Sequence, residues 1–128
     1  MYAIFLSIPQ TQSLKSLVYK IVKEDSEQCV LVMLLGDDEL NELKLKNYFG
    51  AELVTPATDN NLYDLELVKG YIGPHGLKKP MDIIFDKAID FSSSFVCGAN
   101  KEDVHLKNFV PNRDLNEIVT LDLRNAQE

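Results

Sequence analysis

The sequence predicts a single α+β domain built around a mixed, strongly curved β-sheet that is flanked by helices. Two observations lead to this prediction. Short apolar segments that suit strands dominate the chain, and turn residues separate them. One segment, residues 39–49, brings its apolar side chains to one face of a helix, and we expect two or three helices in all.

Length and composition fit one globular domain. The chain has 128 residues, of which 45% are hydrophobic and 26% charged, so it can bury a core without metals or disulfides. We find no internal repeat, low-complexity segment or linker, and therefore take residues 1–128 as one domain. The short lead-in after Met1 suggests a piece of a longer chain. The longest apolar stretch, residues 29–35, is too short to span a bilayer, so no membrane partner is expected.

The strands are predicted from apolar runs and alternation. Residues 29–35 form a continuous apolar run, which is typical of a strand buried on both faces. Asp37 or Asp38 is expected to cap the helix that follows. Residues 2–6 read as the end of a helix, and residues 59–71 stay ambiguous. The predicted strands are residues 17–22, 29–35, 51–55, 82–85, 95–97, 104–110 and 118–123.

Charge and cysteine content restrict the possible functions. The formal net charge is −7, whereas a free-standing nucleic-acid binder usually needs a basic face. If the chain acts on a nucleic acid, affinity must come from a small local patch or a neighbouring domain. Cys29 and Cys97 belong to no CxxC pattern, so we expect reduced core thiols in a cytoplasmic protein. Two separated histidines without HExxH spacing predict no metal site.

Several residues could carry chemistry, and composition leaves two interpretations of each open. The loop of residues 70–76 holds three glycines and a proline, so it is either a surface loop or backbone that approaches a ligand closely. Lys44 is either part of a charged helix surface or a site residue. Asp86, at a strand end, is a helix cap or a site residue. His75 and His105, taken singly, are more often structural than catalytic.

Six segments, in order along nearly the whole chain, carry a family resemblance. Together they resemble the inserted editing domain of bacterial prolyl-tRNA synthetases, which belongs to the YbaK-like aminoacyl-tRNA deacylases. GDxELNExK and FVCGAN are the most specific motifs. The matching segments are FLSIP with LKSLVYK (residues 5–9 and 14–20), GDDELNELK (36–44), GYIGP (70–74), FVCGAN (95–100), NRDL (112–115) and DLRN (122–125).

The resemblance implies a YbaK-like fold and a hydrolase that removes alanine wrongly attached to proline tRNA. The implied partners are the 3′ end of tRNA(Pro) carrying alanine and the catalytic and anticodon-binding domains of the parent synthetase. Editing would need no cofactor, because ATP and Mg²⁺ serve another domain of the parent. Two alternatives remain open: a free-standing deacylase acting on Cys- or Ala-tRNA in trans, and a non-catalytic interaction module.

The resemblance also implies residue roles. Lys44 is expected beside the aminoacyl ester or terminal adenosine, and Asp86 and His105 are expected to fix the alanine pocket and bind the amino group. A backbone wall around the 3′ end is assigned to Gly70, Gly73 and Pro74, and the pocket lining to Gly98, Ala99 and Asn100. Ser16, also a binding position, stands where the family often has threonine. Asp38 stands where the GDHELN form of the motif has histidine, and the segment between residues 56 and 70 is shorter than is usual in the family.

Overall fold

The structure, a computed structural model, describes residues 12–124, so the helix end predicted at residues 2–6 lies outside it. Seven strands and three helices follow one another along this part of the chain. They are β1 (Leu14–Val22), β2 (Glu27–Leu35), α1 (Glu42–Phe49), β3 (Leu53–Pro56), α2 (Asp59–Asp64), β4 (Asp82–Asp86), β5 (Phe95–Lys101), β6 (Val104–Phe109), α3 (Pro111–Asp114) and β7 (Val119–Leu121).

Five strands form the main sheet, in the order β3-β1-β2-β4-β7. β1 pairs antiparallel with both β2 and β3, whereas β2–β4 and β4–β7 are parallel pairs. The mixed sheet confirms the predicted fold class. Because the two parallel pairs run in one direction, the carboxyl ends of β2, β4 and β7 meet at one edge of the sheet.

A second, two-stranded sheet joins β5 and β6, with Gly98 opposite His105. It is linked to the main sheet by a bridge from Ser13 to Val96. The carbonyl of Ser13 also accepts a hydrogen bond of 2.8 Å from the N–H of Gly36, which follows β2. The start of β5 therefore lies at the sheet edge where β2, β4 and β7 end.

Hydrophobic cores lie on both faces of the main sheet. Leu31, Met33 and Phe85 pack towards the β5–β6 sheet, and Val32 and Ile84 pack towards α1. Every residue of β2 from 30 to 34 is fully buried. This burial confirms the prediction of a strand covered on both faces, made from its unbroken apolar run.

The helices differ in part from the prediction. α1 begins at Glu42 and is capped by Asn41, whose side chain accepts from the N–H groups of Leu43 (3.0 Å) and Lys44 (3.4 Å). The expected cap at Asp37 or Asp38 is therefore wrong. The ambiguous segment 59–71 contains α2, which has a capping box, and α3 was not predicted.

Some strand boundaries also move. The strand predicted at residues 118–123 shortens to β7, because residues 122–124 leave the sheet and run beside the start of α1. β5 extends four residues beyond the predicted end, through Lys101, and β6 ends at Phe109. Among residues 12–124, no helix has the length and apolar character needed to cross a membrane.

Candidate active site

Lys44 is bound to the segment Asp122–Leu123–Arg124, which we call the C-terminal strap. Its ammonium donates to the carbonyl of Arg124 at 2.8 Å and pairs with the Asp122 carboxylate at 3.1 Å. The hydrogen bond from Lys44 lowers the pKa of Asp122 from its ordinary value. Lys44 is thus held in one direction by two oxygens of the strap, and its side chain keeps some exposure to solvent.

Asp86, at the end of β4, is fully buried and also binds the strap. One carboxylate oxygen accepts from the N–H of Leu123 at 2.8 Å, and the other accepts from the N–H of Ala88 at 3.0 Å. The guanidinium of Arg124 lies 3.6 Å away. Because this carboxylate has no exposed surface, it offers no access to an alanyl amino group in this conformation. Its contacts are those of a residue that anchors the strap.

The loop of residues 70–76 packs directly against β5. The side-chain amide of Asn100 accepts from the N–H of Gly73 (3.1 Å) and donates to the carbonyls of Gly73 and His75 (2.8 Å each). A Cβ at Gly73 would lie 1.9 Å from the Gly98 oxygen, and a Cβ at Gly98 would lie 2.4 Å from the Tyr71 carbonyl. Both glycines are needed because two stretches of backbone meet here without side chains between them.

His105 lies beside this junction, opposite Gly98 in the β5–β6 ladder. Its ring meets the Tyr71 ring edge-on, with centroids 5.4 Å apart. The Nδ1 atom is buried and has no hydrogen-bond partner in the described part of the chain. An unsatisfied buried ring nitrogen is costly, so it is a candidate for binding a polar group of a ligand.

The remaining predicted residues lie near these two groups. Pro74 is buried, Ala99 is half-buried and Gly70 is exposed. The hydroxyl of Ser16, in β1, donates to the sulfur of Met33 at 3.4 Å. Its neighbour Lys15 donates to the carbonyl of Asp38, and the Asp38 carboxylate pairs with Arg124, so the start of β1 lies near the strap.

The predicted site residues therefore form two groups. Lys44 and Asp86 share the C-terminal strap, while the 70–76 loop, Asn100 and His105 share the β5–β6 sheet. The start of β5 and the strap lie at the same edge of the main sheet, with the start of β1 between them. A substrate that contacts both groups would have to lie across this edge.

A separate cavity of about 310 Å³ lies between the end of α1, β4 and β7, and contains none of the predicted residues. Its lining is Tyr48, Phe49, Met81, Asp82, Ile83, Ile84, Glu117 and Val119. It is a competing location for a ligand.

Cys97 and Cys29 are free thiols, as predicted, with Cys97 buried and Cys29 half-buried. Burial, assisted by the charge of Asp114, raises the pKa of Cys97 to about 12. A thiol with that pKa is almost entirely protonated at neutral pH and is a poor nucleophile. Within residues 12–124, no three His, Cys, Asp or Glu side chains are grouped as metal ligands would be.

Two residues of the site, Arg124 and Tyr71, had no role predicted from the sequence. Arg124 pairs with both Asp86 and Asp38 (3.6 Å each), although its motif served only to indicate the family. Tyr71 lies against His105 and donates to Asp103 at 2.9 Å. The available signals were the DLRN and GYIGP motifs themselves, which contain Arg124 and Tyr71.

Comparison with known proteins shows the family to which this chain belongs. Residues 2–116 match the aminoacyl-tRNA editing domain family, and the chain belongs to that family. Its relatives include the proline–tRNA ligase of Cupriavidus necator, 40% identical over 123 residues, which cover 95% of this chain and 22% of the ligase. The ligase of Herminiimonas arsenicoxydans is 37% identical over 131 residues, covering 98% and 23%. The chain thus spans less than a quarter of the length of these relatives.

A solved structure supports the fold. A protein described as a trans-editing enzyme for prolyl-tRNA synthetase superposes with a TM-score of 0.78 at 20% identity, over 97% of this chain and 77% of that one. At this identity, the similarity concerns the fold alone.

Proposed function

We propose that this chain is the editing domain of a bacterial proline–tRNA ligase and hydrolyses the ester that links alanine to mischarged tRNA(Pro). Membership of the aminoacyl-tRNA editing family supports deacylation in general. The observation that favours a small acyl pocket is the junction of Gly73 and Gly98, where main chain meets main chain beside the unsatisfied Nδ1 of His105. Because main chain without side chains lies beside His105, an acyl group bound there would have to be small.

The proposed chemistry is attack by water on the ester carbonyl. The bond from the acyl carbon to the ribose oxygen breaks, and alanine is released as a carboxylate. One proton of the attacking water goes to the ribose oxygen and the other to solvent. An activated ester needs positioning and stabilisation of the oxyanion more than a strong nucleophile. For an ester that lies across the sheet edge, Lys44 and N–H groups of the 70–76 loop other than the bound ones of Tyr71 and Gly73 would supply these. A ribose hydroxyl would assist the water.

The proposed specificity is that of a second sieve. A synthetic site sized for proline rejects the smaller alanine weakly, because missing methylene groups are worth only about 1–3 kcal/mol. A pocket shaped by His105, with Gly98, Ala99 and Asn100 as its lining, would accept alanine and exclude the pyrrolidine ring. Asp86 would act by anchoring the strap, since its carboxylate is buried.

The acidic character of the chain suits a domain that depends on its parent. With a net charge of −7, the chain has little general attraction for phosphates. The catalytic and anticodon-binding domains of the ligase would hold the tRNA, and tethering would raise the local concentration of its 3′ end. We expect no cofactor for this hydrolysis.

A second candidate is a free-standing deacylase of Cys- or Ala-tRNA. It is favoured by the similarity in fold to a protein described as a trans-editing enzyme. The relatives of higher identity are full-length ligases, which favour the insertion.

A deacylation panel tests the proposal. Proline tRNA charged with alanine, cysteine or proline is incubated with this chain and with its Lys44→Ala variant. We expect slow hydrolysis of Ala-tRNA(Pro), because the parent domains that would hold the tRNA are absent, with little hydrolysis of Pro-tRNA(Pro) and loss of activity in the variant. Preferred hydrolysis of the cysteinyl ester would favour the trans-editing alternative, and no hydrolysis of any ester would favour a non-catalytic module.

A further inference from the structure

We propose that Arg124 is a positioning residue for Lys44, held in place by Asp38 and Asp86. This inference rests on the proposed role of Lys44 in deacylation. Arg124 acts in two directions: its carbonyl accepts the hydrogen bond from the Lys44 ammonium at 2.8 Å, while its guanidinium lies 3.6 Å from a carboxylate oxygen of each aspartate.

Lys44 needs such a partner because its side chain is long and flexible. A lysine ammonium on a four-carbon stem adopts many positions unless acceptors fix it. The Lys44 ammonium binds the Arg124 carbonyl and the Asp122 carboxylate, and both oxygens belong to the strap. The position of the ammonium therefore follows the position of the strap.

The strap lies outside the named strands, but an isolated bridge joins Arg124 to Leu40 and the Leu123 side chain is fully buried. Its main chain is held where Leu123 donates to Asp86 at 2.8 Å and accepts from the N–H of Asn41 at 2.7 Å. At Arg124, the side chain adds two ion pairs to the bridge with Leu40. Replacing that side chain would remove the two ion pairs and loosen the carbonyl that orients Lys44.

The two aspartates stabilise the position of the Arg124 guanidinium between them. Asp86 is fully buried, and a buried carboxylate without a cation is strongly destabilising. One oxygen of Asp38 is buried without a hydrogen bond, so the charge of Arg124 is its compensation. Asp38 stands where the GDHELN form of the motif has histidine, so the ion pair with Arg124 is made by the residue that differs from that motif.

The test is a double-mutant cycle in single-turnover deacylation of Ala-tRNA(Pro) at saturating protein. The variants are Arg124→Lys, Lys44→Met and the double variant, with Asp38→Asn as a second way to weaken the position of Arg124. Arg113→Lys is the matched control, because Arg113 is exposed and its guanidinium contacts Asp114 and the carbonyl of Asn108, neither of which belongs to the strap. Thermal unfolding shows that each variant is folded.

We expect Arg124→Lys to lower the rate constant about tenfold in the wild-type background and less than twofold when Lys44 is already methionine, since residues that act as a unit are not additive. Asp38→Asn should change the rate in the same direction, and Arg113→Lys should not change it. Equal, multiplicative losses in both backgrounds, or an active chain unaffected by Arg124→Lys, would overturn the inference.

A second readout separates this inference from the proposed function. The ¹⁵N shift of the Lys44 ammonium and the hydrogen exchange of the Leu123 amide report the strap without any tRNA. We expect both to change in Arg124→Lys and Asp38→Asn and not in Arg113→Lys. If the wild type hydrolyses no ester but these signals change, the proposed function fails while the positioning contact stands; unchanged signals contradict the positioning role.

Discussion

The side-chain amide of Asn100 and the peptide group of Gly73 form a reciprocal pair of hydrogen bonds. The Asn100 Oδ1 accepts from the Gly73 N–H at 3.1 Å, and the Nδ2 donates to the Gly73 carbonyl at 2.8 Å. A second N–H of the same amide reaches the carbonyl of His75. One buried side chain thus fastens the whole turn of the loop to β5, which is how a glycine-rich segment becomes a fixed wall.

The first prediction concerns Asn100→Asp. The change keeps the shape, but a carboxylate has no donor for the carbonyls of Gly73 and His75. We expect unfolding free energy to fall by about 1–3 kcal/mol, the usual cost of unsatisfied buried polar groups, and deacylation to fall with it. Urea denaturation measures the first effect. Asn108→Asp is the control, because Asn108 is exposed and uses its oxygen to accept from Ser94, which aspartate can also do. Equal stability of both variants would contradict the assigned role.

The second prediction concerns Gly98→Ala. Its Cβ would meet the carbonyl of Tyr71 at 2.4 Å, so the loop must move. We expect a loss of about 1–3 kcal/mol in stability, as for overpacked cores, together with loss of deacylation. Gly50→Ala is the comparison: nothing lies within 4 Å of its Cβ, and its positive φ of 62° costs about 1 kcal/mol. Gly50→Ala should keep its activity, and similar activity in both variants would argue against a site at this junction.

The third prediction is a pH dependence of the strap. Because the hydrogen bond from Lys44 lowers the pKa of Asp122, this pair stabilises the fold above the unfolded pKa of about 4. The contribution is lost as pH falls through the lowered pKa. The melting temperature of Asp122→Asn should therefore lie below that of the wild type at neutral pH, with the difference closing in acid. A difference that is independent of pH would contradict the pairing of Asp122 with Lys44.

The fourth prediction concerns the selectivity between alanine and proline. His105→Ala removes the ring that faces Tyr71 and opens space beside Gly98. The ratio of deacylation rates for Ala- and Pro-tRNA(Pro) should fall by roughly 10–100-fold, the range that pocket size alone provides. His75→Ala is the matched control, because His75 is exposed and contributes its main-chain carbonyl to the contact with Asn100. Unchanged rates for both esters in His105→Ala would remove His105 from the pocket.

Local sequence was sufficient for much of the fold. The unbroken apolar run at residues 29–35 predicted a doubly covered strand because burial on both faces requires it. The start of α1 was not predictable in the same way, since Asp37, Asp38 and Asn41 can all cap a helix. Asn41 is used because its N–H is bound to the carbonyl of Leu123, a contact between distant parts of the chain.

The candidate site shows the same limit. From the sequence, Asp86 could be either a helix cap or a site residue. Its contacts with Leu123 and Arg124 in the structure show that its carboxylate anchors the strap. The glycines of the 70–76 loop were open to two interpretations. The main chain of Gly98 lies so close to Gly73 that no side chain fits there, so contact within the protein explains why residue 73 is glycine. In both cases, the deciding partner lies far away in sequence.

The binding position of an alanyl-adenosine tests the proposed acyl pocket beside His105 most directly. A non-hydrolysable analogue with an amide in place of the ester can be titrated into ¹⁵N-labelled protein, and the amide shifts of the chain followed. We expect the largest changes at Gly73, Gly98, Asn100 and His105, together with a change at the Lys44 ammonium. Changes confined to the cavity lined by Tyr48, Asp82 and Val119 would contradict it.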